Sequence, residues 1–264
     1  MLATLPMYLR DETRAAHDAL WSLTRDALRD AGYRDQDGHP APNALDHATP
    51  HTATWTRPDL LLGQVCNLPY RTHVHAVTAR VGTCDYGLPD TPPGHYFSYF
   101  VIRKDDPRDT PAAFATARLA VNEPDSHSGW GAAWTYARQN GFTFTRAVLT
   151  GSHSASARAL ADGRADIACI DAISWQMIRR YDTSARHLRL IARTDTSPGQ
   201  TLITARRNDP APIRAAVTQA LTALPAAHKD TLLLRGLADL PDADYHALAP
   251  PDPAPIAQNS AKIA

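Results

Sequence analysis

At five places in this 264-residue chain an apolar run ends in small, hydroxyl or ionisable side chains. They are Pro6-Met7-Tyr8, Gly63-Gln64 running on to Pro69-Tyr70, Ser126-His127-Ser128-Gly129, Gly151-Ser152-His153, and Asp171. In open α/β sheets, ligands sit beyond the carboxyl ends of strands. A helix that starts there offers unpaired N–H groups, and its dipole favours negative charge. The segment Asn122-Glu-Pro-Asp-Ser-His-Ser-Gly-Trp130 suits an anion best. Ser126 and Ser128 bring hydroxyl donors, and Gly129 lets the backbone come close. The plainer account is helix capping, since Ser and Asp are favoured caps. His153 follows a second Gly-Ser turn of like chemistry. Two such ends point to a shared oxyanion pocket rather than to two isolated caps.

Other chemistry is weakly marked. Gly129-x-Gly131-x-x-Trp134 starts like a dinucleotide loop but lacks its third glycine. His47, His51, His73 and His75 have no Cys or carboxylate cluster beside them, so no metal is expected. Cys66, or Ser152 with His153, could be a nucleophile, but neither lies in a nucleophile elbow. No catalytic residue and no cofactor is assigned.

The elements that must position these groups alternate along the chain. Helical periodicity covers 11–31, with Ala16, Leu20, Leu23, Ala27 and Leu28 on one face, Asp11 as N-cap and Gly32 as stop. Residues 34–58 read as loop with at most a short strand. Strands are expected at 2–8, 60–62, 74–81, 96–103, 118–121, 147–149, 167–170, 188–192 and 201–205. Helices are expected at 129–140, 154–161, 172–180, 212–224 and 228–237, and the Pro-rich tail from 249 reads as loose. Such alternation predicts an α/β fold with mainly parallel sheets, because a parallel pair needs a crossover.

Composition narrows the function classes. Lys plus Arg and Asp plus Glu are 27 each, so the formal charge is zero. A general nucleic-acid binder or a polybasic membrane anchor would carry a basic excess. Hydrophobic residues are 44% and charged residues 20%, as in an ordinary globule. No apolar run approaches the 18 or so residues of a membrane span. Three cysteines, Cys66, Cys84 and Cys169, allow at most one bridge. The first eight residues lack the pattern of an export signal.

The strand ends together resemble a known family. Leu62-Gly-Gln-Val-Cys-Asn-Leu-Pro-Tyr70 is similar to its strand, Gly-Gln, Pro-Tyr run. Residues 121–129 resemble its Asn…Ser-x-Ser-Gly loop. Thr150-Gly-Ser-His-Ser-Ala-Ser156 with Gly163-Arg-Ala-Asp-Ile-Ala-Cys-Ile-Asp171 resembles its Gly-Ser-His, Gly-Arg-Ala-Asp and Asp block. The family is that of phosphate, phosphite and phosphonate substrate-binding proteins of ABC transporters, a branch of the type II periplasmic binding proteins. The resemblance covers roughly residues 2–235. His127 stands where the family often has a small hydroxyl residue, and Asn67 where it has glycine.

The resemblance implies a two-lobed clamp that closes on ligand by hinge motion. Lobe one would be 1–94 plus 196–264 and lobe two 95–195, with hinges near 94–98 and 195–200. Ser126, His127 and Ser128 would grip the oxyanion, and His153 would donate to it. Tyr70, with Gln64, would contact it from lobe one, Tyr8 would line the mouth, and Asp171 would take a cationic or hydroxyl part. The implied function is binding a phosphonate- or phosphate-like ligand for delivery to an ABC transporter permease in the periplasm. The alternatives are an enzyme or a cytoplasmic sensor on the same clamp, separable by turnover and by the presence of an export signal.

Overall fold

A computed structural model of the chain describes residues 1–256. The first stretch holds β1 (Leu2–Ala3), α1 (Asp11–Asp30), α2 (His51–Thr54), β2 (Leu60–Val65), α3 (Asn67–Thr72) and β3 (Thr78–Asp85). Then come β4 (His95–Tyr96), β5 (Ser98–Arg103), β6 (Leu119–Val121), α4 (Ala132–Gln139), β7 (Ala147–Leu149), α5 (His153–Ala161), β8 (Ile167–Asp171), α6 (Ala172–Tyr181) and β9 (Leu188–Arg193). The last stretch holds β10 (Ser197–Pro198), β11 (Thr201–Ala205), α7 (Pro210–Ala223), α8 (Ala226–Leu232), β12 (Gly236–Ala238) and α9 (Asp242–His246).

These elements form two units. The first comprises Met1–His95 with Pro198–Ala247, and the second Tyr96–Ser197 with the described residues 248–256. The chain passes between them at β4 and β10, which pair with each other. Each unit has its own five-stranded sheet, in the orders β1-β2-β11-β3-β12 and β7-β6-β8-β5-β9.

The α/β class holds, but the sheets are mixed rather than mainly parallel. In the second unit β7, β6 and β8 are parallel, while β5 runs antiparallel between β8 and β9. In the first, β11 runs antiparallel between β2 and β3. The inserted strand is in each case the one that follows a passage. Its first residues pair with the last residues of its neighbours: Ser98 with Asp171, and Thr201 with Val65 and Thr83. A chain delivered to the carboxyl end of parallel strands can only run back along them.

The second sheet is buried on both faces, which explains its unbroken apolar strands. Phe100, Ile102, Leu119, Val121, Ile167 and Cys169 face one core with Phe114, Trp130 and Phe144. The alternating Val101, Ala120, Ala168 and Ile170 face the other, with Leu160, Trp175 and Ile178. In the first unit α1 packs on α7. Another cluster there gathers Trp55, Leu60, Val65, Tyr70, Ile203 and Tyr245.

Some expected elements differ. The strand expected at 74–81 starts at Thr78, after a 3-10 turn over Val74–Ala76 that Thr78 closes by donating its hydroxyl to the Val74 carbonyl at 2.8 Å. The helix expected at 228–237 stops at Leu232, because Leu233 turns left-handed at φ 57° and Gly236–Ala238 joins β3. Residues 51–54 and 67–72 are helical. The tail expected to be loose, and to lie with the first lobe, is tied into the second unit. Trp130 Nε1 donates to the Asp252 carbonyl at 2.7 Å, Ala147 N donates to Pro255 at 3.0 Å, and Ile256 bridges to Ala147. The edge of β7 and two indole N–H groups need acceptors, and the tail supplies them. Among the described residues no helix is long and apolar enough to cross a membrane.

Candidate functional site

Strand order brings the second unit's chemistry together. β6 lies between β7 and β8. Residues 126–128 follow β6, His153 follows β7, and Asp171 ends β8, so three distant segments share one sheet end.

After β6 the chain makes a π-helical turn, His127–Gly131, that runs on into α4. Trp130 N and Gly131 N both donate to the Ser126 carbonyl at 3.1 Å. Such π turns recur at functional sites. Ser126 caps the turn, its Oγ accepting from Gly129 N at 3.1 Å and lying 3.4 Å from Ser128 Oγ. Gly129 is required by close approach: a Cβ there would overlap the Asn122 side chain. The Asn122 Oδ1 is buried with no hydrogen-bond partner. Asn122 also accepts at its carbonyl from Gly151 N at 2.8 Å, joining this turn to the next. Gly151 has φ 90°, which favours glycine, and Ser152 caps α5 by accepting from Ala155 N.

His153 opens α5. Its Nε2 lies 2.9 Å from Ser128 Oγ and 3.2 Å from Asp171 Oδ2, while its Nδ1 is buried without a partner. The other Asp171 oxygen caps α6, accepting from Ile173 N at 3.0 Å and Ser174 N at 2.8 Å. Burial pushes the His153 imidazole below its ordinary value, against the raising effect of Asp171 and Glu123. The ring is therefore neutral at pH 7. A Ser-His-Asp relay needs the hydroxyl and the carboxylate on opposite ring nitrogens. Here they share Nε2, so the carboxylate orients the ring without making it a base for the serine.

His127 is turned away from this cluster. Its Nε2 lies 3.0 Å from Ser197 Oγ, and its ring stands 6.2 Å from that of Tyr96. In the first unit Tyr8 and Gln64 come together and Tyr70 goes elsewhere. Tyr8 holds φ 66° and meets the Tyr86 ring edge-on at 5.2 Å. Gln64 Nε2 donates toward Cys84 Sγ and Tyr86 Oη, each at 3.4 Å. Tyr8, Gln64 and Tyr86 line one cavity. Tyr70 falls inside α3, which packs it on Tyr245 with ring centroids 5.0 Å apart. Its hydroxyl donates to Asp242 at 3.1 Å, and burial, with Asp242 adding to it, pushes its pKa up to about 12.

Sequence reasoning missed Tyr86 and Asn122. Tyr86 lies just past a strand end, as the other candidates do, and Asn122 belongs to the quoted loop. Asp35, Asp37 and His39 also lie within ligand distance of one another. Asp35 is engaged there by the N–H groups of Asp37 and His39, and Asp37 by Arg207.

The family described as the periplasmic substrate-binding protein of phosphonate ABC transporters matches residues 71–248. No curated protein matches. Among solved structures, PhnD1 of Prochlorococcus marinus in complex with methylphosphonate is 14% identical. That match covers 94% of each chain with a TM-score of 0.69. A Xanthomonas citri protein bound to chloride ion is 15% identical over 94% of this chain and 95% of its own, with a TM-score of 0.69. A binding-protein component of an ABC phosphonate transporter from Pseudomonas aeruginosa is 17% identical over 90% and 80%, with a TM-score of 0.59. At these identities the likeness speaks for the two-lobed fold, and the family match, over more than half of the chain, speaks for descent. The chain belongs to the family of periplasmic substrate-binding proteins of phosphonate ABC transporters.

Proposed function

We propose that this protein binds a small phosphonate- or phosphate-like oxyanion through Ser126, Ser128 and His153, and delivers it to an ABC transporter permease in the periplasm. The observation that carries this reading is His153: held at Nε2 by Ser128 and Asp171, buried, and with Nδ1 unpartnered. A buried polar atom without a partner is costly and is explained by a group that arrives later. The serine hydroxyls and the start of the π turn supply donors, the N-terminal end of the helix favours the charge, and Asp171 fixes the ring. His127 acts at a remove, through Ser197. Binding and release make up the whole cycle, and no covalent step is assigned.

The test is calorimetry with methylphosphonate and inorganic phosphate. A charge-assisted hydrogen bond contributes about 1.5–3 kcal/mol. Changing Ser126 and Ser128 to Ala therefore weakens binding at least tenfold while circular dichroism and the melting temperature stay near wild type. Unchanged affinity in a folded double variant would place the anion elsewhere.

A further inference from the structure

Within the second unit, one short segment of the tail, 252–256, is bonded to both elements that lead into the proposed oxyanion site. Trp130 belongs to the π turn, two positions after Ser128, and is buried. Its backbone N donates to the Ser126 carbonyl at 3.1 Å, and its indole Nε1 donates to the Asp252 carbonyl at 2.7 Å. One turn further along, Trp134 Nε1 donates to the Asp252 carboxylate at 3.2 Å. The same segment then reaches β7, where Ala147 N donates to the Pro255 carbonyl at 3.0 Å and Ile256 bridges to Ala147. β7 runs directly into the turn of Gly151 and Ser152 that sets His153 at the start of α5. One segment therefore holds the turn of Ser126 and Ser128 from one side and the approach to His153 from the other.

The way the segment is seated suits docking and release. Pro250, Pro251, Pro253 and Pro255 stiffen it, so little conformational freedom is lost when it docks. Proline-rich segments dock in this manner on aromatic-lined grooves. Ala254 and Ile256 pack on the core cluster that contains Trp130. The fit is nevertheless incomplete. A cavity of about 120 Å³ remains between Trp130, Trp134 and Phe144 on one side and Pro253 and Pro255 on the other. Groups that face such a gap lack partners on that side. The hold thus rests on a few hydrogen bonds and two apolar side chains.

We infer that the tail is a positioning strap for the oxyanion site. Seated, it fixes the π turn through Trp130 and the approach to His153 through Ala147. Unseated, it lets both relax, and oxyanion affinity falls. This rests on the oxyanion reading above and adds what holds that site in its binding geometry. Coupling of this kind is reciprocal: the factor by which the seated tail raises affinity is the factor by which the bound oxyanion tightens the seat.

The test is hydrogen–deuterium exchange of the indole N–H groups, read by NMR on the full chain with and without methylphosphonate. Trp175 lies in the core on the other face of the sheet and reports any general tightening of the unit. Saturating methylphosphonate should slow exchange at Trp130 and Trp134 about five- to tenfold and leave Trp175 unchanged. Ala254→Asp with Ile256→Asp sets carboxylates against an apolar cluster, which unseats the tail. That variant should exchange both indoles faster and, by calorimetry, bind methylphosphonate more weakly by the same factor, whereas Ile256→Val stays within about twofold of wild type. Should the double variant fail to fold, exchange in the wild type decides. Equal slowing at all three indoles, no slowing at any, or wild-type affinity in a folded double variant with exposed indoles overturns the strap. The oxyanion reading stands in those cases if Ser126→Ala with Ser128→Ala still weakens binding. Binding of neither methylphosphonate nor inorganic phosphate to the wild type removes the oxyanion reading and the strap with it.

Discussion

His153 carries the most information of any single side chain in the second unit. Burial keeps its ring neutral when the site is free, so the free-state pKa lies below 6.5. An oxyanion beside it stabilises the imidazolium, so the pKa rises on binding and binding takes up a proton. Affinity therefore declines as pH rises through the bound-state pKa. The ligand's own second ionisation works in the opposite direction, but equally in wild type and in His153→Gln, so the difference between their profiles reports the histidine. Calorimetry between roughly pH 7 and 9 should show falling affinity in wild type and a flatter profile in His153→Gln. Identical profiles would remove His153 from the anion's surroundings. The residue types are legible in the sequence: Ser126, Ser128, His153 and Asp171 each stand at a strand end. Their contacts were not, because nothing in a residue's own neighbourhood says which strand lies beside it. His127 and Tyr70 show the converse. Their side-chain directions follow from a π turn and a short helix that the local pattern did not reveal.

At the scale of elements, the turn after β6 depends on one absent Cβ. Gly129→Ala sets a methyl group into the Asn122 side chain. That side chain must turn aside to make room, while its backbone stays bonded to Gly151 of the neighbouring turn. Overpacking of this kind costs about 1–3 kcal/mol. Gly129→Ala should lower the denaturation midpoint accordingly and weaken oxyanion binding. Adding Asn122→Ala should restore part of the stability. A Gly129→Ala protein as stable as wild type would show that the turn relaxes without cost. The long periodic helix α1 and the apolar strands of the second sheet were readable from pattern, since each buries a face or both faces. The end of α8 was not, because Leu233 adopts a left-handed conformation that its type does not advertise.

At the scale of the whole molecule, the chain leaves the first unit a second time after Ala247, and its described residues 248–256 lie with the second. There the tail closes the edge of β7 and accepts from two indoles, Trp130 at the Asp252 carbonyl and Trp134 at its carboxylate, 3.2 Å away. Trp130 sits in the same turn as Ser128. Removing residues 248–264 should therefore cost the second unit about 2–4 kcal/mol from lost burial and unpaired donors. It should also shift tryptophan fluorescence to the red. Unchanged fluorescence and midpoint would make the tail an ornament of the edge.

What the sequence by itself determined was chemistry and class. Alternating periods required an α/β chain, zero net charge argued against a polyanion partner, and the Gly-Ser-His and Ser-x-Ser runs marked the strand ends proposed here as an anion site. Tertiary structure alone decided strand order, the antiparallel insertion of β5 and β11, and the place of the tail. It also made the ring of His153 meet Ser128 and Asp171 at one nitrogen, and it made Tyr8 and Gln64 border an apolar cavity while Tyr70 packs against Tyr245. The physical reason is range. Periodicity, capping and turn chemistry act over a few residues and are written locally. Pairing across a sheet is chosen by burying two faces at once, among segments tens of residues apart, and no local pattern encodes that choice.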